Sequence, residues 1–161
     1  MLVAPCTEHG MEIEITGELI SKPYIDITLS VMKAFGVHVI NEDYRYFRVA
    51  GGQRYQSREY AIEPDASNAS YFFAAAAVTG GRVRVNYLNM GSVQGDVHFV
   101  DVLERMGGQV NRYADGLEVI GPDQLKEIDV DMHAISDTAL TLAAIAPFAS
   151  GKVIIRNIEH V

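Results

Sequence analysis

The chain has 161 residues, of which 48% are hydrophobic and 21% are charged, with one cysteine and no tryptophan. A chain this apolar can bury enough surface to fold, which excludes intrinsic disorder, and a single cysteine cannot form an internal disulfide. The formal charge of −8 argues against nucleic acid and anionic membranes as partners. No apolar run approaches the roughly 18 residues of a membrane span, and the first ten residues lack the cations of a secretory signal. We therefore expect a soluble, cytoplasmic protein.

The first predicted elements are a strand at 9–15, an amphipathic helix and a hairpin. Ile25, Leu29 and Met32 recur at helical spacing, and Gly36 stands where helices commonly end in a left-handed residue. Strands at 37–40 and 46–49 follow, and the turn residues at 41–43 are expected to join them.

The next elements repeat this order. A strand near residue 59, an apolar helix at 69–79 and a strand at 80–85 precede a second amphipathic helix, which ends at Gly107. A hairpin at 109–112 and 117–120 follows it. The last predicted elements are an apolar helix at 138–149, which Pro147 should shorten, and a strand at 150–155. Ser67 or Asn68 is expected to cap the first apolar helix and Ser136 the second. Both helices are apolar nearly all round, so we expect them to be buried.

These elements form a repeat with a period of about 70 residues. Residues 59–120 make one complete unit in the order strand, helix, strand, helix, strand, strand. The chain begins inside one unit and ends inside another, and neither end carries the polar cap of a terminal repeat. We therefore expect it to be a piece of a longer polypeptide.

Four stretches in register with the repeat carry a family resemblance. They are Ser21 to Leu29, Asp65 to Phe72, Gln94 to Asp96, and Ser136 to Thr141 together with Arg156-Asn157-Ile158. Together they resemble the 3-phosphoshikimate 1-carboxyvinyltransferases, also called 5-enolpyruvylshikimate-3-phosphate synthases. The resemblance implies an α/β fold, the inside-out α/β barrel of the enolpyruvyl transferases, with two domains and with both incomplete in this chain. Residues 1–62 would be the C-terminal part of the first domain and residues 63–161 the N-terminal part of the second.

The reaction that this resemblance implies joins two anionic substrates in the cleft between the domains. The 5-hydroxyl of shikimate 3-phosphate adds to C2 of phosphoenolpyruvate, and phosphate then leaves the tetrahedral intermediate, in a step of the shikimate pathway of aromatic amino acid biosynthesis. No metal or organic cofactor is implied. The chemistry needs cations for the phosphates and the carboxylate, a base at the hydroxyl and an acid at the enol methylene.

The resemblance also assigns roles to single residues. Ser21 would bind the shikimate phosphate at a helix N-terminus, where free N–H groups and the helix dipole favour an anion; the alternative is a simple N-cap. Tyr24 would line the shikimate site, or else pack as an ordinary tyrosine, and Lys22 would be an auxiliary phosphate contact or a solvated cation.

Asp137 is the expected catalytic residue, the carboxylate that grips the shikimate hydroxyls and takes the 5-hydroxyl proton. The alternative is a first-turn acid that the helix dipole favours. Asn157 would bind substrate at the end of a strand that leads into the active-site loop. We expect Asp65 and Asp96 to cap helices, although Asp65 could instead touch the phosphoenolpyruvate side of the cleft.

The chain also departs from the family. It ends before the lysine, the acid and the arginines that follow Arg156-Asn157-Ile158 there, and its net charge of −8 does not suit a cleft for two anions. We therefore expect the chain alone to be inactive and, with apolar faces uncovered, to self-associate. Two alternatives stay open. One is the sister transferase that acts on UDP-N-acetylglucosamine, and the other is a non-catalytic scaffold built from the same repeat.

Overall fold

The computed structural model describes every residue from Met1 to Val161 and divides into two compact units, Met1–Ala61 and Ile62–Val161. None of its helices combines the length and the apolar character needed to cross a bilayer.

The first unit is a three-stranded antiparallel sheet with one helix. Strands β1 (Met11–Glu14), β2 (Val39–Glu42) and β3 (Tyr46–Val49) pair in the order β1-β3-β2. Helix α1 (Lys22–Ala34) connects β1 to β2. A small buried core is formed by Ala4, Met32, Val37 and Val49.

The end of α1 and the turn of the following hairpin were both predicted. The predicted helix end is confirmed, because Gly36 has a φ of 83° and the Val37 N–H donates to the Met32 carbonyl at 2.9 Å. The hairpin is also confirmed, but its predicted turn at 41–43 is wrong. Asn41 and Glu42 belong to β2 and pair with β3, so the chain reverses at 43–45 instead.

The strand predicted near residue 59 is wrong, since residues 53–65 form no regular secondary structure. Polar groups of this segment bond to the end of α1 rather than to a neighbouring strand. The Gln56 N–H donates to the Phe35 carbonyl at 2.8 Å, and the Arg58 guanidinium donates to the Ala34 carbonyl at 2.6 Å. The repeat therefore lacks its first strand in this part of the chain.

The second unit contains three helices and five strands. Its helices are α2 (Ala66–Thr79), α3 (Phe99–Arg105) and α4 (Ala139–Ile145). Its strands are β4 (Arg82–Asn86), β5 (Gln109–Tyr113), β6 (Gly116–Ile120), β7 (Ile128–Asp131) and β8 (Val153–Arg156). Strands β4, β6 and β5 form an antiparallel sheet in that order, and β7 pairs with β8 in parallel.

The two antiparallel sheets confirm the internal repeat. In each, a single strand is followed by a helix and a hairpin, and the second hairpin strand lies in the middle, giving β1-β3-β2 in one unit and β4-β6-β5 in the other. The equivalence of α1 with α3 follows from this order. Periodicity therefore predicted the strand, helix and hairpin of the repeated unit, although not the absence of a strand near residue 59.

The N-terminus of α2 is capped by Asp65, and the expectation that Ser67 or Asn68 caps it is wrong. Asp65 Oδ1 accepts from the Asn68 main-chain N–H at 2.9 Å, and Oδ2 accepts from the Asn68 side-chain amide at 2.8 Å. The helix therefore begins three residues earlier than predicted, with Ser67 inside its first turn.

Helix α4 is shorter than predicted and is flanked by 3₁₀ turns. The residues His133–Thr138 form one such turn before it and Ala146–Phe148 another after it. Ser136 lies within the first turn, so its predicted role as an N-cap is wrong; the N-cap position is Thr138, whose side chain makes no capping bond. Pro147 shortens the helix as expected, since the α-helical bonding stops at Ile145.

Both apolar helices bury only one side, so the expectation that they are buried all round is wrong for this chain. On the inner side, the buried Ser70 and Thr141 hydroxyls lie 2.9 Å apart and join α2 to α4. On the outer side, Phe72 is 61% exposed and Leu140 is 70% exposed. Tyr71, Leu140 and Phe148 line one surface cavity, and this exposed surface is called here the α2/α4 apolar face.

A charged cluster covers the outer side of α3. The Arg112 guanidinium donates to Asp101 at 2.6 Å and to Glu104 at 2.7 Å. Partial burial acts to raise the pKa of Asp101, but hydrogen bonds from His98 and Arg112 outweigh it and the pKa is lowered. The hydrogen bond from Arg112 lowers the pKa of Glu104. All of these side chains are partly exposed, so the cluster contributes little to stability at high salt.

Candidate functional site

The residues predicted to act on substrate fall into two groups, one in each unit. In the second unit, Asp137 and Asn157 lie just beyond the carboxyl ends of β7 and β8. Because β7 and β8 run parallel, their carboxyl ends lie at the same edge of the sheet. In α/β folds, ligands bind at this edge. The structure therefore brings the segments that carry these two residues to one edge.

Asp137 is held on the surface by its buried neighbours. Ser136 and Thr138, on either side of it, are buried, whereas Asp137 is exposed. The Thr138 hydroxyl donates to the Ile135 carbonyl at 2.8 Å and fixes the turn. The alternative in which Asp137 is a first-turn acid of the helix is wrong, since α4 has its N-cap position at Thr138. The local packing instead presents this carboxylate to solvent.

Asn157 lies immediately after β8 in a left-handed conformation, with a φ of 58°. Asparagine is one of the few side chains that tolerates this backbone. Its Nδ2 donates to Asp131 Oδ2 at 2.6 Å. A shallow surface cavity of about 370 Å³ is lined by β8 and the residues after it, Asn157 among them.

In the first unit, Ser21, Lys22 and Tyr24 lie together at the N-terminus of α1. Ser21 occupies the N-cap position with the left-handed angles φ 59° and ψ 43°, but its side chain makes no capping hydrogen bond. The simple N-cap role is therefore wrong for this hydroxyl. A left-handed backbone is unusual for serine, and such residues concentrate at binding and active sites.

Lys22 contacts an aromatic ring that the sequence analysis did not single out. Its Nζ lies 5.3 Å from the centroid of Tyr44, and the Tyr44 hydroxyl donates to Asp26 at 2.7 Å. This hydrogen bond raises the pKa of Tyr44. A cavity of about 300 Å³ is lined by Lys22, Tyr44 and Arg45 together with the residues Gly17, Glu18, Leu19 and Asp43. Two cations, Lys22 and Arg45, and two acids, Glu18 and Asp43, thus line this concave surface.

Tyr24 is half-buried in the first turn of α1, and its carbonyl accepts from the Thr28 hydroxyl at 3.0 Å. The ring therefore lies partly against the protein, as its amphipathic character favours.

Two further acidic residues have structural roles. Asp65 caps α2, as expected. Asp96 is not a cap, and that expectation is wrong: it is buried within the 3₁₀ turn Gly95–His98 and accepts a hydrogen bond from the Ser67 hydroxyl. Gln94 donates to the Pro64 carbonyl and accepts from the Ala66 N–H, each at 2.8 Å. The Gln94-Gly95-Asp96 stretch therefore fastens the start of α2.

Sequence reasoning missed two residues that contact the predicted site residues: Asp131, which bonds to Asn157, and Tyr44, which contacts Lys22. Asp131 ends a strand directly before the Asp137 segment, which is a usable signal in a parallel α/β pair. Tyr44 had no such signal, because its contact with α1 depends on the hairpin turn. No group of three or more His, Cys, Asp or Glu side chains is placed to hold a metal ion.

Comparison with solved structures defines the fold as that of the enolpyruvyl transferases. EPSP synthase from Acinetobacter baumannii matches 96% of this chain with a TM-score of 0.73 at 21% identity, and the match covers 36% of that chain. The enolpyruvyl transferase NikO from Streptomyces tendae matches 96% of this chain with a TM-score of 0.71 at 18% identity, and the match covers 37% of it. The expected fold class is thereby confirmed.

Sequence comparison defines the family. The model of the EPSP synthase (3-phosphoshikimate 1-carboxyvinyltransferase) family matches residues 1–161, so the chain belongs to that family, as the motifs predicted. A 3-phosphoshikimate 1-carboxyvinyltransferase of Nostoc sp. (strain PCC 7120) is 56% identical over all 161 residues, and one of Edwardsiella ictaluri is 51% identical over 99% of the chain. The chain spans 38% of the length of the first relative and 37% of the second.

Proposed function

We propose that this chain supplies part of the active site of a 3-phosphoshikimate 1-carboxyvinyltransferase. The observation that carries the proposal is the family match over the whole chain, together with relatives that are more than half identical and bear that name. The same names favour the shikimate acceptor over UDP-N-acetylglucosamine. Residues 1–62 would be the C-terminal part of the enzyme's first domain and residues 63–161 the N-terminal part of its second.

In the proposed reaction, Asp137 acts as the base at the acceptor hydroxyl. The 5-hydroxyl oxygen of shikimate 3-phosphate bonds to C2 of phosphoenolpyruvate, its proton passes to the Asp137 carboxylate, and a proton is added at C3. Loss of phosphate from C2 and of a proton from C3 then restores the double bond. The exposed position of Asp137 between two buried neighbours supports this role, because the carboxylate is accessible while its backbone is fixed.

The N-terminus of α1 would bind the phosphate of the shikimate substrate. Ser21 supplies a hydroxyl that does not cap the helix, and the first turn supplies N–H groups at the positive end of the helix dipole. Lys22 adds a cation, and Tyr24 would contact the shikimate ring. Asn157 would contact substrate from the end of β8 through the part of its amide that does not bond to Asp131.

The isolated chain is proposed to be inactive and to self-associate. Electrostatic stabilisation of the transition state usually contributes more to catalysis than any other effect, and the net charge of −8 does not suit a cleft for two anionic substrates. The α2/α4 apolar face, with Tyr71 and Leu140 largely exposed, would drive association. The single, exposed, unpaired Cys6 suits the reducing cytoplasm, where we place the protein.

A hybrid enzyme tests the proposed function. The matched segment of the Nostoc relative is replaced by these 161 residues, and the hybrid is expressed in a bacterium that lacks its own enzyme and needs added aromatic amino acids. Growth without the supplement is the expected result, with the unaltered relative as positive control and the 161-residue chain alone as negative control. No growth with a folded, expressed hybrid would contradict the proposal and favour a non-catalytic scaffold.

A further inference from the structure

The carboxyl ends of β7 and β8 are tied together by one side chain, Asp131. It is the last residue of β7, and both of its carboxylate oxygens accept hydrogen bonds from segments beyond the strands. Oδ1 accepts from the His133 main-chain N–H at 2.8 Å, and Oδ2 accepts from Asn157 Nδ2 at 2.6 Å. One carboxylate therefore bridges the turn that leads to Asp137 and the turn that contains Asn157.

Two further contacts join the same two segments. The Met132 N–H donates to the Arg156 carbonyl at 3.1 Å, and the rings of His133 and His160 lie 5.2 Å apart. The hydrogen bonds from His133 and Asn157 lower the pKa of Asp131. Asp131 is thus ionised at neutral pH, and both of its hydrogen bonds are charge-assisted, which makes them stronger than neutral ones.

A neighbouring carboxylate shows that this bridging is particular to Asp131. Asp129 lies on the same exposed side of β7, and it also has a lowered pKa because Arg156 bonds to it. Its ion pair with Arg156, at 2.6 Å, joins one strand to the other within the sheet. The Asp131 contacts instead join the two turns outside the strands, in addition to the Met132 main-chain hydrogen bond and the contact between the His133 and His160 rings.

We propose that Asp131 is a positioning residue for carboxyvinyl transfer, holding the Asp137 and Asn157 segments at a fixed separation without touching substrate. This inference rests on the proposed function. Small errors in the placement of catalytic groups are costly, because a displacement of about 1 Å can reduce the rate about a hundredfold.

The test compares Asp131→Ala with Asp129→Ala in the hybrid enzyme. Each variant removes one exposed carboxylate from the same side of the same strand, and only the first breaks the bridge. We expect Asp131→Ala to lower kcat/KM for shikimate 3-phosphate about 10- to 100-fold, and Asp129→Ala to stay within about threefold. The kcat/KM of Asp131→Asn should lie between those of the two alanine variants, since the asparagine side-chain oxygen can still accept from the His133 N–H.

A double-mutant cycle separates positioning from general stability. The cycle is measured in kcat/KM for shikimate 3-phosphate. If Asp131 acts partly through Asn157, Asp131→Ala should lower kcat/KM less in an Asn157→Ala background than in the unsubstituted hybrid, because the shared contact is already lost. Circular dichroism checks that each variant is folded. If Asp131→Ala does not fold, Asp131→Asn replaces it in the same double-mutant cycle with Asn157→Ala.

The possible failures are distinguishable. An inactive hybrid with the unsubstituted segment would overturn the proposed function and this inference with it. An active hybrid in which Asp131→Ala matches Asp129→Ala, or in which the cycle is additive, would overturn this inference alone.

Discussion

Replacement of Asp137 by asparagine in the hybrid enzyme should abolish most turnover while leaving the fold and substrate binding intact. The side chain is exposed, so the change in the free energy of unfolding should stay within about 0.5 kcal/mol. Asparagine keeps the size and the hydrogen-bonding atoms but cannot take a proton. Loss of a general base costs about a hundredfold to ten-thousandfold, which is roughly 3–5 kcal/mol of activation free energy.

The assay for this variant follows phosphate release under saturating substrates, with calorimetry for shikimate 3-phosphate binding and Asp123→Asn as the control. Asp123 is another exposed carboxylate of the same unit, and its replacement should change neither quantity. A turnover for Asp137→Asn within about threefold of the unsubstituted hybrid would refute the role of Asp137 as the base.

Three further predictions concern the 161-residue chain itself. Asp65→Ala removes the cap of α2 and should lower the free energy of unfolding in urea by about 1 kcal/mol; an unchanged midpoint would contradict the cap. Arg112→Ala removes the partner that lowers the pKa of Asp101 and Glu104, so its stability deficit should be largest above about pH 5 and shrink as pH falls through the lowered pKa values; a deficit that grows on acidification would be contrary to this. Leu140→Lys should weaken self-association in light scattering without changing unfolding by more than about 0.5 kcal/mol, and unaltered association would exclude the α2/α4 apolar face as the contact.

Periodicity predicted most of the repeated elements, because the spacing of apolar residues in a helix or strand reflects which of its sides is buried. Helix α1 and its terminating Gly36 depend only on local geometry, and the structure has both, although Met32 is the one residue of the predicted stripe that is buried and Ile25 is half-buried. The family resemblance was carried by short stretches, and the whole-chain family match confirms it.

The errors arise where long-range contacts decide the local structure. The hydrogen bond from Ser67 to Asp96 joins segments that are far apart in sequence, so no local pattern could show that Asp96 fastens α2 instead of capping a helix. The exposure of Phe72 was missed for a related reason. An apolar helix surface indicates that the surface is buried against other residues, but the pattern does not say whether those residues belong to the same chain.

The candidate site was predicted in part. The position of Asn157 after a strand followed from the motifs, but Asp137 was expected at the start of a helix and strand β7 was not predicted. Asp131 became evident only when the parallel pairing of β7 with β8 brought both turns to one edge. The end of a strand directly before the Asp137 segment is a signal for the position of Asp131, but its hydrogen bond to Asn157 has no signature in a single sequence.

The most direct test of the central claim is phosphate release from phosphoenolpyruvate by the purified hybrid with each of two acceptors. We expect the hybrid to release phosphate with shikimate 3-phosphate and not with UDP-N-acetylglucosamine, and we expect no release from the 161-residue chain with either acceptor. Release that depends on the UDP-sugar, or an inactive hybrid that is correctly folded, would contradict it.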